Sequence, residues 1–316
     1  MTILTKKPEQ NMPSFLRFEI DLDLAELQAH IAILGVPHAD PYSMDQINND
    51  QAKAPNAVRQ ASVKASSNLE RWDFDLGGPI FDNKAIRAVD CGDVIGDPRD
   101  IRKNSVRVED AVRLIRNAKA LPIIIGGDHG VTIPVLRGLK NDGPIYVIQI
   151  DAHLDWLDQR NGVSEGFSSP MRRASEMAHV SGMHQIGLRN QGSATTVEFD
   201  AAQAYGSNLV TAEHLQDYGV DEVLSQIPDS ANYYITIDAD GLDPSVMPAV
   251  AGPAPGGVTY QQACKLIRGL VKKGNVVGMD IVEITPSRDV NEISSVTASR
   301  LIINLMGWAT RQGYFD

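Results

Sequence analysis

The sequence predicts an α/β protein built on one parallel sheet of eight strands, with helices covering both faces. Three observations carry that expectation. Short apolar runs of strand length alternate with segments whose apolar residues recur at helical spacing. Gly, Pro or Asp punctuates the exits from these runs. No internal repeat, low-complexity tract or linker divides the 316 residues, so a single domain over 1–316 is expected.

Taken in order, residues 1–14 are polar and proline-punctuated and read as a loose arm, free or laid on a neighbouring subunit. Residues 24–30 suggest a short helix, and 31–36 (IAILGV) a first strand ending at Pro37. A long polar loop, 38–51, follows, and loops of that length after a strand often cover a site. Ala54-Pro55 opens a helix, since the first helical turn tolerates proline. Residues 87–90 form a second strand, which Cys91-Gly92-Asp93 turns into a loop. Val108, Ala111, Val112 and Ile115 mark a helix over 105–119. The third strand, 121–125, is cut by Gly126-Gly127 and followed by Asp128-His129-Gly130 and a helix over 132–140. Further strands are read at 145–150, 183–187, 208–210, 233–237 and 276–282, with helices notably at 170–178, 260–272 and 293–310.

Composition narrows the function. A 43% hydrophobic content suffices for a large core. A net charge of −11 with scattered acids argues against nucleic acid or an anionic membrane as partner and suits a cationic ligand. Cys91 and Cys264 stand in unrelated contexts, so neither a disulfide nor a thiolate metal site is expected, and a reducing cytoplasm is the natural compartment. No apolar stretch of signal-peptide length follows the first lysines, and no run of about 18 apolar residues is present to span a bilayer.

The chemistry gathers after the strands. The stretch 145–156 (IYVIQIDAHLDW) ends in Asp151, His153 and Asp155. Acids are almost never interior unless paired, and two that bracket an imidazole repel each other unless a cation lies between them. His129 follows the third strand, and Asp238 and Asp240 (ITIDADGLDP) follow the seventh. Residues i and i+2 of an extended segment point the same way, so Asp151 and His153 share a side, as do Asp238 and Asp240. Ligands of such sheets bind beyond the carboxyl ends of the strands. Two imidazoles and four carboxylates oversupply one catalytic ion, which takes about three or four protein ligands, but suit two divalent ions bridged by carboxylates. An oxygen-rich shell without thiolate favours Mn²⁺, or Ni²⁺ or Co²⁺, over a structural zinc. Two ions about 3.5–4 Å apart activate water without a Ser or Cys nucleophile, which points to hydrolysis. Four acids against two dications leave a nearly neutral centre, so a cationic substrate needs one acid more. Glu283, in GMDIVEITPSRD just past the eighth strand, is placed to supply it.

GGDHG with His129, DAHLD with Asp151, His153 and Asp155, TIDADGLDPSVMPAVAGPAPGG with Asp238 and Asp240, and DIVEITP with Glu283 together resemble the ureohydrolases, the family of arginase, agmatinase and related guanidino-compound hydrolases. The pattern lies closest to agmatinase-like members and runs in family order from about residue 31 to the C-terminus. The resemblance implies a three-layer α/β/α sandwich with an eight-stranded parallel sheet and a dinuclear centre of manganese type. It implies that His129, Asp155, Asp151 and Asp238 surround one ion, that His153, Asp151, Asp238 and Asp240 surround the other, and that Glu283 grips the guanidinium. The implied reaction is attack of a bridging hydroxide on the guanidinium carbon, with Asp155 catalytic as well as ligating, followed by loss of an amine and release of urea. Homotrimers or homohexamers are implied as well.

Two departures bear on the substrate. Where arginases and agmatinases carry a proton-shuttling His-Gly, this chain reads Ser164-Glu165-Gly166. Glu165 then pairs with a substrate cation, passes a proton, or is only a solvated loop charge; a carboxylate of pKa ~4.3 donates poorly at neutral pH unless burial raises it. The segment after DAHLD also lacks the arginase pattern for reading an amino acid's carboxylate, and the 38–51 loop is not the usual agmatinase one. Agmatine therefore leads over arginine, with an alkylguanidine or biguanide as the alternative. A weakly active subunit supporting a paralogue in a hetero-oligomer is a third reading.

Plainer roles stand beside these. Glu283 could be a strand-end acid paired with Arg288, and Trp156 could line the pocket or fill the core or an interface. His179, His184 and His214 read as structural, Asp243 as a turn acid, and Arg172 and Arg173 as makers of structural ion pairs or subunit contacts. Gly126-Gly127 lacks the GxxxxGK[ST] or GxGxxG context of a phosphate cradle.

Overall fold

The apolar runs pair into one sheet. A computed structural model describes residues 3–38, 42–43, 50–66, 68–97, 100–191 and 194–316. All eight expected strands are present and parallel: β3 (Ile31–Val36), β4 (Ala88–Val94), β5 (Leu121–Gly126), β6 (Ile145–Ile150), β7 (Val180–Leu188), β8 (Asn208–Thr211), β9 (Asn232–Asp238) and β10 (Asn275–Val282). Among the described residues the sheet has ten strands, because β1 (Thr5–Lys6) and β2 (Glu19–Ile20) add two short pieces alongside β4. The order β4-β3-β5-β10-β9-β6-β7-β8 brings β5, β10, β9 and β6 to the middle.

Both faces of the sheet are covered, which is why its strands are apolar throughout rather than alternating. Ile31, Ile33, Ile123 and Ile235 face one core, shared with helices α1 (Ala54–Ser66), α6 (Ala212–Gln226), α7 (Tyr260–Lys273) and α8 (Ile293–Arg311). Their strand neighbours Ala32, Leu34, Ile124 and Tyr234 face the other, with α2 (Ile101–Asn117), α3 (Thr132–Gly138), α4 (Pro170–Ser175) and α5 (Thr196–Tyr205). This is the expected three-layer sandwich. No helix among the described residues is long and apolar enough to cross a membrane.

The structure corrects several local expectations. From residue 3 on, the N-terminal arm is not loose: Thr5 and Lys6 pair antiparallel with Val94 and Asp93, and Thr5 is buried. Residues 24–30 hold one short turn and otherwise irregular backbone instead of a helix. Asp21 and Asp23 accept the backbone N–H groups of Asp23 and Ala25, a local bonding that competes with helix. Strand β4 runs on through Cys91-Gly92-Asp93, where a turn was expected. Of the long loop 38–51, residues 39–41 and 44–49 lie outside the described residues.

The extension of β4 has an electrostatic cause. Asp90 and Asp93 face Arg59 of α1, which is fully buried and donates through Nε to Asp90 at 2.9 Å, through Nη1 to Asp93 at 2.5 Å and through Nη2 to the Gly92 carbonyl at 3.0 Å. Gly35 of β3 makes room, since a Cβ there would sit 1.8 Å from an Asp93 oxygen. Removing the guanidinium would strand two carboxylates in the core. Arg59→Met is expected to cost about 3–5 kcal/mol in denaturant unfolding, and a variant as stable as the natural chain would show that the triad is not holding α1 to the sheet.

Candidate metal centre

The four central strands stop in register. Ile125 lies opposite Ile281, Val282 opposite Asp238, and Ile150 opposite Ile237, so whatever follows β5, β6, β9 and β10 emerges at one edge. His129 starts the turn after β5. Asp151, His153 and Asp155 follow β6, Asp238 closes β9, and Asp240 lies in the single turn behind it. Two adjoining groups result: His129, Asp151, Asp155 and Asp238, all buried, and Asp151, His153 and Asp240, each with ligand atoms within 4.8 Å of one another. Nδ1 of His129 stands 2.8 Å from Asp155 and 3.2 Å from both Asp151 and Asp238. Nδ1 of His153 stands 3.2 Å from Asp240 and 3.5 Å from Asp151, the residue common to both groups.

Glu283 also arrives. It is buried, its Oε1 accepts the backbone N–H of His129 at 2.8 Å, and its own N–H donates to the Gly127 carbonyl at 2.8 Å. The ion pair with Arg288 is absent among these contacts; Arg288 instead donates to the carbonyls of Val250 and Ala251. Asp155 (φ 51°) and Glu283 (φ 65°) both sit in left-handed backbone, a strain that recurs where geometry serves a site. Glu165 does not join. Arg137 holds it through two bonds, Nη2 to Oε1 at 2.5 Å and Nη1 to Oε2 at 3.0 Å. Trp156 is buried against Tyr205 in the second core, and Arg172 and Arg173 make ion pairs with Glu176 and Asp158. His179, His184 and His214 bond to Leu136, Tyr146 and Glu222, away from the cluster.

Glycines let the turn after β5 close. A Cβ on Gly127 would meet the His38 carbonyl at 1.7 Å, and one on Gly130 would meet the Glu165 carbonyl at 2.7 Å. Behind the ligand-type residues stands a set of polar groups that motif reading passed over. Gln149 donates to Asp151 at 2.6 Å and is itself held by Gln185 and, beyond it, Ser207. Nε2 of His129 lies 2.9 Å from the Thr236 hydroxyl, which adjoins Thr132 and the fully buried Asp280. Arg189 binds the carbonyls of Asp240, Gly241 and Ala254, fixing the turn after β9. Such groups orient ligands and set their tautomers. A Gln in the otherwise apolar run IYVIQI and an Asp in VVGMDIV are their visible signals.

The electrostatics of the cluster call for a cation. Burial, then Asp151, pushes the Asp155 acid up to about 7. Burial, then Asp240 and Asp151, raises Asp238 well above the carboxylate range, and burial also raises Asp240 against the pull of His153. Burial alone would depress both imidazoles, yet the acids outweigh it, holding His129 well above its usual value and carrying His153 to about 12. Asp151, despite burial, is held low by the two imidazoles. Burial raises Glu283 as well. Among the described residues, His129 Nδ1, Asp155 Oδ2 and Asp240 Oδ1 are buried with no hydrogen bond, the first two standing 2.8 Å apart within the cluster. Divalent ions ligated by them would satisfy both the charge and the orphaned atoms.

Comparison with known proteins agrees with the geometry. The family described as the Arginase family matches residues 29–307. The agmatinase of Salmonella paratyphi B (strain ATCC BAA-1250 / SPB7) is 31% identical over 307 residues, covering 94% of this chain and 92% of that one. Among solved structures, proclavaminate amidino hydrolase from Streptomyces clavuligerus superposes with a TM-score of 0.80 at 25% identity, over 96% of this chain and 98% of the other. The agmatine ureohydrolase of Thermoplasma volcanium gives 0.76 at 26% identity, over 93% and 94%.

The raised acids and imidazoles fix a sign. Groups that hold protons in the metal-free fold must yield them to a cation, so Mn²⁺ binding will release protons and weaken as pH falls through about 7, where Asp155 is protonated. The contribution of Asp155 to the metal-free fold runs the opposite way. The folded pKa of Asp155 lies above its unfolded value, so its contribution to stability is complete below the unfolded pKa and lost as pH rises through about 7. Calorimetry in buffers of different protonation enthalpy measures the released protons, and melts of chelated protein on either side of neutrality measure the second effect. Proton uptake on metal binding would contradict the assignment.

Proposed function

The chain belongs to the arginase family and is a metal-dependent amidinohydrolase, and on that premise we propose that it hydrolyses a small cationic guanidino compound of the agmatine type, yielding urea and an amine. The observation that carries the substrate class is Glu283, a buried acid beyond the six ligand-type residues, fixed beside them by the His129 N–H. Its charge is what a near-neutral metal cluster lacks for holding a cation. We assign His129, Asp151, Asp155 and Asp238 to one divalent ion and His153, Asp151, Asp238 and Asp240 to a second, with manganese as the expected metal and nickel or cobalt as the alternatives. Such ions, when bound, make water available as a nucleophile near neutral pH.

The chain's own side chains do the rest. Glu283 accepts the N–H groups of the guanidinium and turns its carbon toward the cluster. Asp155, at its strained position, takes the proton that the attacking water loses. The water oxygen bonds to the guanidinium carbon, the C–N bond to the alkyl nitrogen breaks as Asp155 hands that nitrogen its proton, and the new hydroxyl gives the amine the second water proton as it becomes the urea carbonyl, so the amine departs as an ammonium ion. One guanidinium and one water thus give urea and one alkylammonium. Glu165, held by Arg137, has no part in this sequence.

The test is a panel of agmatine, guanidinobutyrate, arginine, guanidine, an alkylguanidine and a biguanide on protein reconstituted separately with Mn²⁺, Ni²⁺ and Co²⁺. Urea from agmatine is the expected result, and preference for an alkylguanidine or biguanide would move the substrate within the class. Absence of urea and amine with every compound and metal would defeat the reading. Glu283→Gln should lower kcat/KM by on the order of 10²–10³-fold, the cost of losing one partner of a buried charge pair, while two ions still bind.

A further inference from the structure

The segment that leaves β3 is described at residues 42–43 and again from Asp50, and Asp50 and Gln51 are both tied to the chain beyond β10. Gln51 is 4% exposed, and its Nε2 donates to Glu283 Oε2 at 2.9 Å. Asp50 accepts the Ser287 N–H at 3.2 Å and its hydroxyl at 3.0 Å. Gln51 starts the single turn (Gln51–Lys53) that runs into α1, where Ala54, Val58 and Arg59 are fully buried. The amide is therefore presented from an anchored element. Glu283 has left the strand's alternation, with φ 65°, so its side-chain direction is set by what donates to it: the His129 N–H on Oε1 and Gln51 on Oε2.

A carboxylate offers about four lone-pair sites. Among the described residues the two donors occupy one on each oxygen and leave one on each, the number that a guanidinium edge uses in a two-bond pair. Resting on the guanidine-hydrolase reading above, we propose that Gln51 is a positioning residue for Glu283: it fixes the carboxylate's rotation so that the two remaining lone pairs form a fork matched to a planar guanidinium and not to a point-like ammonium. The choice of an amide fits this role. A lysine or arginine at 51 would neutralise the acid, whereas an amide orients it and leaves its charge for the substrate.

Gln51→Met keeps the length of the side chain and removes the donor. With the Mn²⁺-loaded protein and agmatine, KM is expected to rise about tenfold or more, with kcat within about threefold, the melting temperature kept and the metal content unchanged. Inhibition by guanidinium chloride should weaken by a similar factor while inhibition by ammonium chloride does not, so that the preference for the planar cation narrows; calorimetric titration with guanidinium chloride gives the same comparison without turnover. Gln51→Asn, which keeps the amide but withdraws it from Glu283, should behave alike, so poor folding of one variant does not end the test. Natural KM and natural cation preference in both variants would overturn the role of Gln51 while leaving the hydrolase reading intact, as would a loss confined to kcat or to metal content. Failure of the natural chain to hydrolyse any guanidino compound would remove both.

Discussion

Buried like charges are the constraint around which this molecule is arranged. Asp151, Asp155, Asp238 and Asp240 are buried together, and Asp151, shared by the two groups, is contacted by both imidazoles. Uncompensated carboxylates in such a space cost several kcal/mol each. They persist because the surrounding structure holds them and because a cation turns mutual repulsion into ligation. The polar residues nearby serve that end: Gln149 steadies Asp151, Thr236 meets His129, and Arg189 gathers the carbonyls of the turn that carries Asp240.

The sheet order makes the gathering possible. Strands β5 and β6 are consecutive in the chain, yet β10 and β9 lie between them. The crevice where the connections diverge is where ligands of open α/β sheets bind, and here it receives one acidic or imidazole-bearing exit from each of four strands. Close approach of those exits needs backbone without side chains, which Gly127 and Gly130 provide. The apolar interior on either side of the sheet supplies rigidity, so that strained residues such as Asp155 and Glu283 are kept where they are.

Most of the frame was legible because its signals are local. Eight apolar runs became eight parallel strands, with ends that moved by a few residues, and the i, i+2 pairs predicted which side chains would emerge together. Legibility failed where distant partners decide. Residues 91–93 carry turn chemistry, but Arg59 from another element draws Asp90 and Asp93 into one strand. The N-terminal arm has the composition of a loose tail, but the open side of β4 gives Thr5 and Lys6 backbone partners. Helix α5 escaped a reading based on apolar periodicity because it buries little; the Thr195–Glu198 capping box was its available mark. Glu165 sits in a motif position that suggests a shuttle, and only Arg137, brought alongside by the fold, shows where its charge goes.

Sequence by itself determined the chemistry on offer: which imidazoles and carboxylates follow which strands, at what spacing, and hence the expectation that they gather around divalent cations. Those are properties of neighbouring residues, where backbone geometry leaves few choices. Tertiary structure decided which of these groups meet and who orients them. His129 reaches Glu283 across a separation of 154 residues, and Gln51 reaches it across 232. Contacts that distant have no local signature, since they depend on the order in which strands are stacked and on the packing that holds both ends in place.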